Sequence, residues 1–212
     1  MNPWLSSGWH GEKALELISY TTSILINLEP MAESMTGSNS IVIVDYDPEW
    51  PVIFQSLKDI YHRELGDLII NVEHVGSTSV PGLCAKPCLD IDLVISNRSR
   101  LPDVIDRLSE LGYRHTGDQG VLGREAFKRE DQKAPYDGTA SEKYAHHLYV
   151  CSIDSPELRK HLLFREYLRM DTEVKELYCQ LKKELAEKFG ANRELYTEAK
   201  TDFIEGVLNE LL

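Results

Sequence analysis

The sequence predicts an α/β (α+β) protein, a small mixed β-sheet flanked by helices and followed by a helical C-terminal part. Three observations carry this reading. Strand-like runs rich in Ile, Val and Leu alternate with amphipathic helical patterns early in the chain, and the strand pattern stops at Cys151. From Asp154 onward the apolar residues recur only at helical spacing. A chain of 212 residues is long enough to bury one substantial core.

Taken in order, residues 1–40 read as an extension, weakly structured or loosely docked, ahead of a main domain over residues 41–212. Leu15, Leu17, Ile18, Ile24 and Ile26 are interrupted by Glu16, Ser19, Tyr20, Thr21 and Thr22, which is no membrane span. The first helix has Asp47 as its N-cap, Pro48 at the first helical position and Gly66 as its stop. Trp50, Phe54, Leu57, Tyr61 and Leu65 fall at helical spacing between them. Leu68 to Val75 reads as a strand running into a turn at Gly76, and Leu89 to Ile95 as a second strand that alternates apolar with acidic residues. Ser99 caps a helix carrying Leu101, Val104, Ile105, Leu108 and Leu111, with Gly112 at its end. The polar stretch Tyr113 to Thr139 holds a basic cluster, Arg124, Lys128, Arg129 and Lys133, and a hairpin strand near Phe127. Tyr144 to Cys151 is a further strand. Asp154 with Glu157 resembles a capping box, and Asp171 and either Asn192 or Thr197 cap two later helices. Val174, Leu177, Leu181 and Leu185 give the middle helix its apolar stripe.

A formal charge of −12 argues against a general nucleic-acid coat, because a polyanion is repelled unless basic residues cluster locally. Cys84, Cys88, Cys151 and Cys179 are scattered rather than spaced as the staples of a small secreted domain, which suits a cytoplasmic setting.

The chemistry concentrates in "EHVGSTSVPGLCAKPCLDIDLVIS". Side chains alternate along a strand, so Asp90 and Asp92 share one face while Leu89, Ile91 and Leu93 share the other. At a rise of roughly 3.3 Å per residue their α-carbons lie about 6.6 Å apart. With an effective dielectric near 20, two carboxylates at about that distance repel by on the order of 2–3 kcal/mol. Two readings fit. Either a divalent cation with hard oxygen ligands, Mg²⁺ or Mn²⁺, sits between them, or the pair faces water and is screened. Upstream, Gly76 and Ser77 form a turn whose backbone N–H groups and hydroxyl suit phosphate oxygens, and Lys86 lies in the intervening loop.

The stretch Glu73 to Ile95, with Gly-Ser followed by Asp-x-Asp, resembles the signature of the nucleotidyltransferase superfamily related to DNA polymerase beta. Together with "YDPEWPVIF", "HHLYV", "FREYLR" and "YTEAKTDFI" it resembles the GrpB family from about Ile41 to Leu212. The resemblance implies a nucleotidyltransferase fold and a metal-dependent transfer of a nucleoside monophosphate from a nucleoside triphosphate to a hydroxyl acceptor, without implying a known substrate. The net acidity suggests a small acceptor rather than a long nucleic acid. Asp90 and Asp92 would hold the metal, and Gly76 and Ser77 the triphosphate. Active members of the superfamily usually add a third carboxylate from a neighbouring strand. Here "YAHHLYV" offers His147 instead, as general base, metal ligand or plain hydrogen-bonding residue. Lys86, Arg124, Arg165 and Lys200 are the candidate phosphate contacts, since guanidinium and ammonium groups pair with phosphate. The missing carboxylate leaves a second reading open, a domain that binds a nucleotide or phosphometabolite without turning it over.

Overall fold

The computed structural model describes residues 41–190 and 192–212, so the extension expected over residues 1–40 lies outside the described residues. Two compact units divide the chain. One runs Val44–Glu166, and the other comprises Tyr167–Leu212 with, among the described residues, 41–43.

The first unit is built on a five-stranded mixed sheet in the order β1-β2-β5-β4-β3. Its strands are β1 (Asn71–Val75), β2 (Leu89–Ile95), β3 (Tyr113–His115), β4 (Arg124–Arg129) and β5 (His146–Ser152), with helices α1 (Trp50–Leu65), α2 (Leu101–Glu110) and the greater part of α3 (Pro156–Met170), as far as Glu166. The β2–β5 pair is parallel, and β1–β2, β4–β5 and β3–β4 are antiparallel.

One face of this sheet makes the main core. Leu89, Ile91, Leu93 and Ile95 of β2 and Leu148 and Val150 of β5 pack with Trp50, Leu57, Tyr61 and Leu65 of α1 and with Val104 and Leu108 of α2. Burial of each such side chain stabilises by roughly 1.5–3 kcal/mol, which fixes which edge of the β2 alternation points inward. The opposite face carries Asp90, Asp92 and Val94, and there Val94 and Cys151 pack under Leu158 and Leu162 of α3.

Several boundaries differ from the sequence reading for local reasons. Helix α1 starts at Trp50, because the Asp47 carboxylate accepts from Glu49 N–H at 2.9 Å and the Asp47 carbonyl from Trp50 N–H at 3.1 Å, a turn that closes before the helix begins. Pro51, not Pro48, occupies its first turn. Strand β1 is shorter than expected because Gly66–Leu68 forms a 3-10 turn. Before α2, Asn97 caps a 3-10 turn, Arg98–Arg100, by accepting from Ser99 N–H at 3.0 Å, and α2 follows it without a side-chain cap of its own. The cap of α3 is Ser155, whose hydroxyl accepts from Leu158 N–H at 3.4 Å, while Asp154 accepts instead from the Ser152 hydroxyl at 2.5 Å. With Pro156 at the first helical position, the capping side chain has to come from the residue before it.

The second unit contains α4 (Thr172–Phe189) and α5 (Arg193–Asn209). Asp171 caps α4 by accepting from Val174 N–H, and Asn192, not Thr197, caps α5 by accepting from Glu194 and Leu195 N–H. Val174, Leu181 and Leu185 are buried as the stripe predicted, with Tyr178 buried alongside them, and the Tyr178 and Phe203 rings stack at 5.0 Å.

Candidate active site on the second sheet face

Strand alternation and register place the acidic pair. On the face opposite the main core, β2 presents Asp90 and Asp92. Register sets His147 of β5 beside Asp90, and Tyr149 of β5 and Glu73 of β1 on either side of Asp92. The Gly-Ser turn follows β1 directly. Gly76 has φ 68° and ψ −172°, and Ser77–Ser79 closes one 3-10 turn tied by the Ser79 hydroxyl donating to the Gly76 carbonyl at 2.6 Å. A Cβ at Gly76 would lie 2.3 Å from Asp90 Oδ2. Only a residue without a side chain lets the turn and the carboxylate approach this closely.

The two aspartates are not equivalent. Asp90 is partly exposed, whereas Asp92 is 0% exposed. Asp92 Oδ2 accepts from His161 Nδ1 of α3 at 2.7 Å, and its Oδ1 is buried with no hydrogen-bond partner. The other ring nitrogen of His161, Nε2, lies 3.4 Å from Glu157 Oε1, one helical turn earlier. Burial by itself would depress the His161 pKa. Hydrogen bonds to Asp92 and Glu157, reinforced by both carboxylate charges, outweigh it and raise the value to about 10, so the ring is an imidazolium near neutral pH. The same hydrogen bond from His161 holds the Glu157 carboxyl below its ordinary value. Part of the repulsion expected within the acidic pair is therefore offset by a cation of the chain itself.

Arg165, one further turn along α3, donates to Glu73 Oε2 at 2.7 Å and to the His74 carbonyl at 2.8 Å. It is thus committed to β1 rather than to Asp90 or Asp92. A third carboxylate does stand on this face, then, but it is Glu73 from β1, and it is held by an arginine. The β5 strand, where the motif suggested a third carboxylate, places Tyr149 beside Asp92. Burial pushes the Tyr149 phenol pKa up, and the charge of Asp90 adds to the effect. Arg124 of β4 lies with its guanidinium 4.3 Å from the Tyr149 ring centroid, and its Nε is buried without a hydrogen-bond partner.

The remaining candidates are dispersed. Lys86 is exposed in the loop before β2. Lys200 sits on α5 in the helical unit, where its charge bears on buried Lys182. Arg129 donates to the carbonyls of Tyr144 at 3.1 Å and Lys143 at 3.2 Å and so ties a loop. Sequence reading missed His161, Glu157 and Glu73. The available signal was the spacing of Glu157, His161 and Arg165, which puts all three on one face of a helix.

Among the described residues no group of three or more His, Cys, Asp or Glu side chains is arranged to hold a metal ion. Mg²⁺ asks for less, one or two carboxylates with water and phosphate oxygens completing its shell. The unpartnered Oδ1 of Asp92 beside partly exposed Asp90 meets that requirement, because a buried carboxylate oxygen without a donor is what an unseen cation would satisfy.

A mixed sheet with helices on both faces, an aspartate pair on one strand and a Gly-Ser turn against it define an α/β protein with an acidic cluster on one sheet face. Within that class the chain belongs to the GrpB family, whose model, described as GrpB protein, matches residues 40–210. It is 30% identical over 183 residues to the glutamate-rich protein GrpB of Alkalihalophilus pseudofirmus, covering 84% of this chain and 100% of that one. To the UPF0157 protein YqkA of Bacillus subtilis it is 28% identical over 165 residues, 78% of this chain, and it spans only 45% of that protein's length. The crystal structure of conserved protein GrpB from Enterococcus faecalis aligns with a TM-score of 0.62 and 26% identity, over 79% of this chain and 99% of that one. A looser likeness, TM-score 0.46 and 11% identity, extends to Cid1 in complex with its short product ApU, over 81% of this chain and 47% of that one.

Proposed function

We propose that the chain is a metal-dependent nucleotidyltransferase that moves a nucleoside monophosphate from a nucleoside triphosphate to a small hydroxyl acceptor. The observation that carries this reading is the buried, unpartnered Oδ1 of Asp92 next to Asp90 and the Gly76–Ser77 turn. Asp90 and Asp92 Oδ1 would hold Mg²⁺ or Mn²⁺, which when bound supplies charge stabilisation on the phosphoryl oxygens. The turn at Gly76 and Ser77 would face the triphosphate, and Arg124, laid on Tyr149, would offer its guanidinium to the phosphate oxygens. The acceptor oxygen attacks the α-phosphorus, the bond to the β-phosphate oxygen breaks, and pyrophosphate departs. His147, level with Asp90 on the neighbouring strand, takes the hydroxyl proton.

One specific observation favours a second reading. Glu73 is held by Arg165 and Asp92 by His161, which leaves no free third carboxylate on this face among the described residues. A domain so arranged would bind a nucleotide or phosphometabolite without turnover. Calorimetry with ATP and GTP, with and without Mg²⁺, followed by a pyrophosphate-release assay over a panel of small alcohols, separates the two. Mg²⁺-dependent release that Asp90→Asn and Asp92→Asn each reduce by at least about a hundredfold is the expected result, in line with losing a principal transition-state contact. Binding with no release across the panel establishes the second reading, and release untouched by both substitutions refutes the site.

A further inference from the structure

Helix α3 contributes to this site a residue that the motif does not contain. We infer that His161 is a positioning residue which, by holding Asp92 Oδ2, presents Asp92 Oδ1 to a divalent cation. The inference rests on the proposed metal-binding reading and assigns within it a role that the acidic pair alone does not supply.

The geometry is specific. His161 Nδ1 donates to Asp92 Oδ2 at 2.7 Å. The ring is steadied from behind by Glu157 Oε1, 3.4 Å from Nε2, and flanked by the Tyr149 ring at 6.5 Å. Glu157 and His161 are four residues apart on one helix, which sets the two side chains beside each other on the face of α3 that meets β2. A carboxylate with neither oxygen held can rotate about its Cβ–Cγ bond. With Oδ2 tied to a half-buried ring, the rotation is restrained and Oδ1 is left as the carboxylate's free acceptor, buried and without a partner. That division of labour, one oxygen for the protein and one for the ion, is how outer hydrogen bonds orient metal ligands, and removing such a partner typically weakens metal binding by about 10–100-fold. The arrangement also explains why Asp92 tolerates complete burial although its sheet neighbour Asp90 stays partly exposed. Its charge is compensated on the oxygen that faces the helix.

The opposite electrostatic account makes the opposite prediction. If His161 were only a counter-charge standing where a cation belongs, its removal would strengthen metal binding. Titrating the full chain with Mn²⁺ and following the free-ion signal by electron paramagnetic resonance distinguishes them without any assay of turnover. For His161→Ala the Mn²⁺ dissociation constant is expected to rise about tenfold or more. For His161→Asn, whose amide can still donate near the position of Nδ1, most of the wild-type affinity is expected to return. Unchanged or tighter binding by the Ala variant, or an Asn variant as weak as Ala, overturns the inference. Should the Ala variant lose its cooperative thermal melt, the Asn variant decides alone, because retained affinity supports positioning and tighter binding refutes it. Wild-type protein that binds no Mn²⁺, or that binds it equally well after Asp90→Asn and Asp92→Asn, defeats the metal-binding reading itself. Loss in those two variants with no loss in His161→Ala defeats only the present inference.

Discussion

Gly76 turns the chain between β1 and the following 3-10 turn with a φ of 68°, and a methyl group there would meet Asp90 Oδ2 at 2.3 Å and Asp90 Cγ at 3.0 Å. Two penalties therefore coincide at one position, left-handed backbone strain and a collision with the partly exposed carboxylate of the pair. Gly76→Ala is expected to cost roughly 1–3 kcal/mol of stability, read as a lower urea midpoint, and to weaken Mn²⁺ binding by displacing Asp90. An unchanged midpoint with unchanged binding would show that the turn and Asp90 are not coupled. The acidic pair and the Gly-Ser turn were legible from residue types and strand period alone. The inequality of the two aspartates was not, since Asp92 is closed off by a residue 69 positions away.

At the scale of elements, α3 organises the site face. Ser155 caps it, also donating to the Gly123 carbonyl at 2.9 Å, and Leu158 and Leu162 seat it on Val94 and Cys151. Its polar ladder then spans two strands, with His161 on β2 and Arg165 on β1. Ser155→Ala should cost about 1 kcal/mol through the lost cap, detectable by equilibrium denaturation. Arg165→Ala strips donors from both Glu73 and the His74 carbonyl, and about 1–3 kcal/mol should go with them. Arg165→Lys should restore only part, because one ammonium cannot reproduce a planar fork reaching two acceptors. Full restoration by Lys would mean that charge alone matters at this contact. The helix itself was readable from periodicity, and Arg165 stood out as a cation in an amphipathic pattern. Its partner was not readable, because strand and helix meet only after the chain has folded back.

At the scale of the whole molecule, the sheet unit hides a second polar cluster on its core face. His146 donates from Nδ1 to the Tyr144 carbonyl at 2.7 Å, so Nε2 is the acceptor. Tyr113 hydroxyl donates to it at 2.6 Å and is joined at 2.7 Å by Tyr61 hydroxyl. Burial above all, with the Arg129 and His147 charges acting in the same direction, lowers the His146 pKa to about 4, against the partial opposition of the Tyr144 hydrogen bond. The unfolded chain, with an ordinary histidine value near 6.5, takes up this proton first. Stability supplied by the neutral ring is therefore present above about pH 6.5 and is lost as pH falls from there toward about 4, on the order of 3 kcal/mol in total. Urea unfolding at intervals between pH 7 and pH 4 should show this loss, and His146→Gln should flatten the slope across that window even though the variant starts less stable. An equally steep profile in the variant would assign the acid sensitivity to other groups.

By itself the sequence determined which elements form and which residues share a face of each, because periods of two and of about 3.6 residues, caps and turn glycines are local properties. It also determined that Asp90 and Asp92 project together and that His147 and Tyr149 share their face if Leu148 and Val150 turn to the core, as they do. The register that sets His147 beside Asp90 came from the pairing of β2 with β5. Only the tertiary structure decided what meets that face. Which turn of α3 lies over which strand depends on how the apolar surfaces of Val94, Cys151, Leu158 and Leu162 interlock. A shift of one helical turn would exchange His161 for Glu157 or Arg165 above Asp92, and no local pattern in the chain distinguishes those three outcomes.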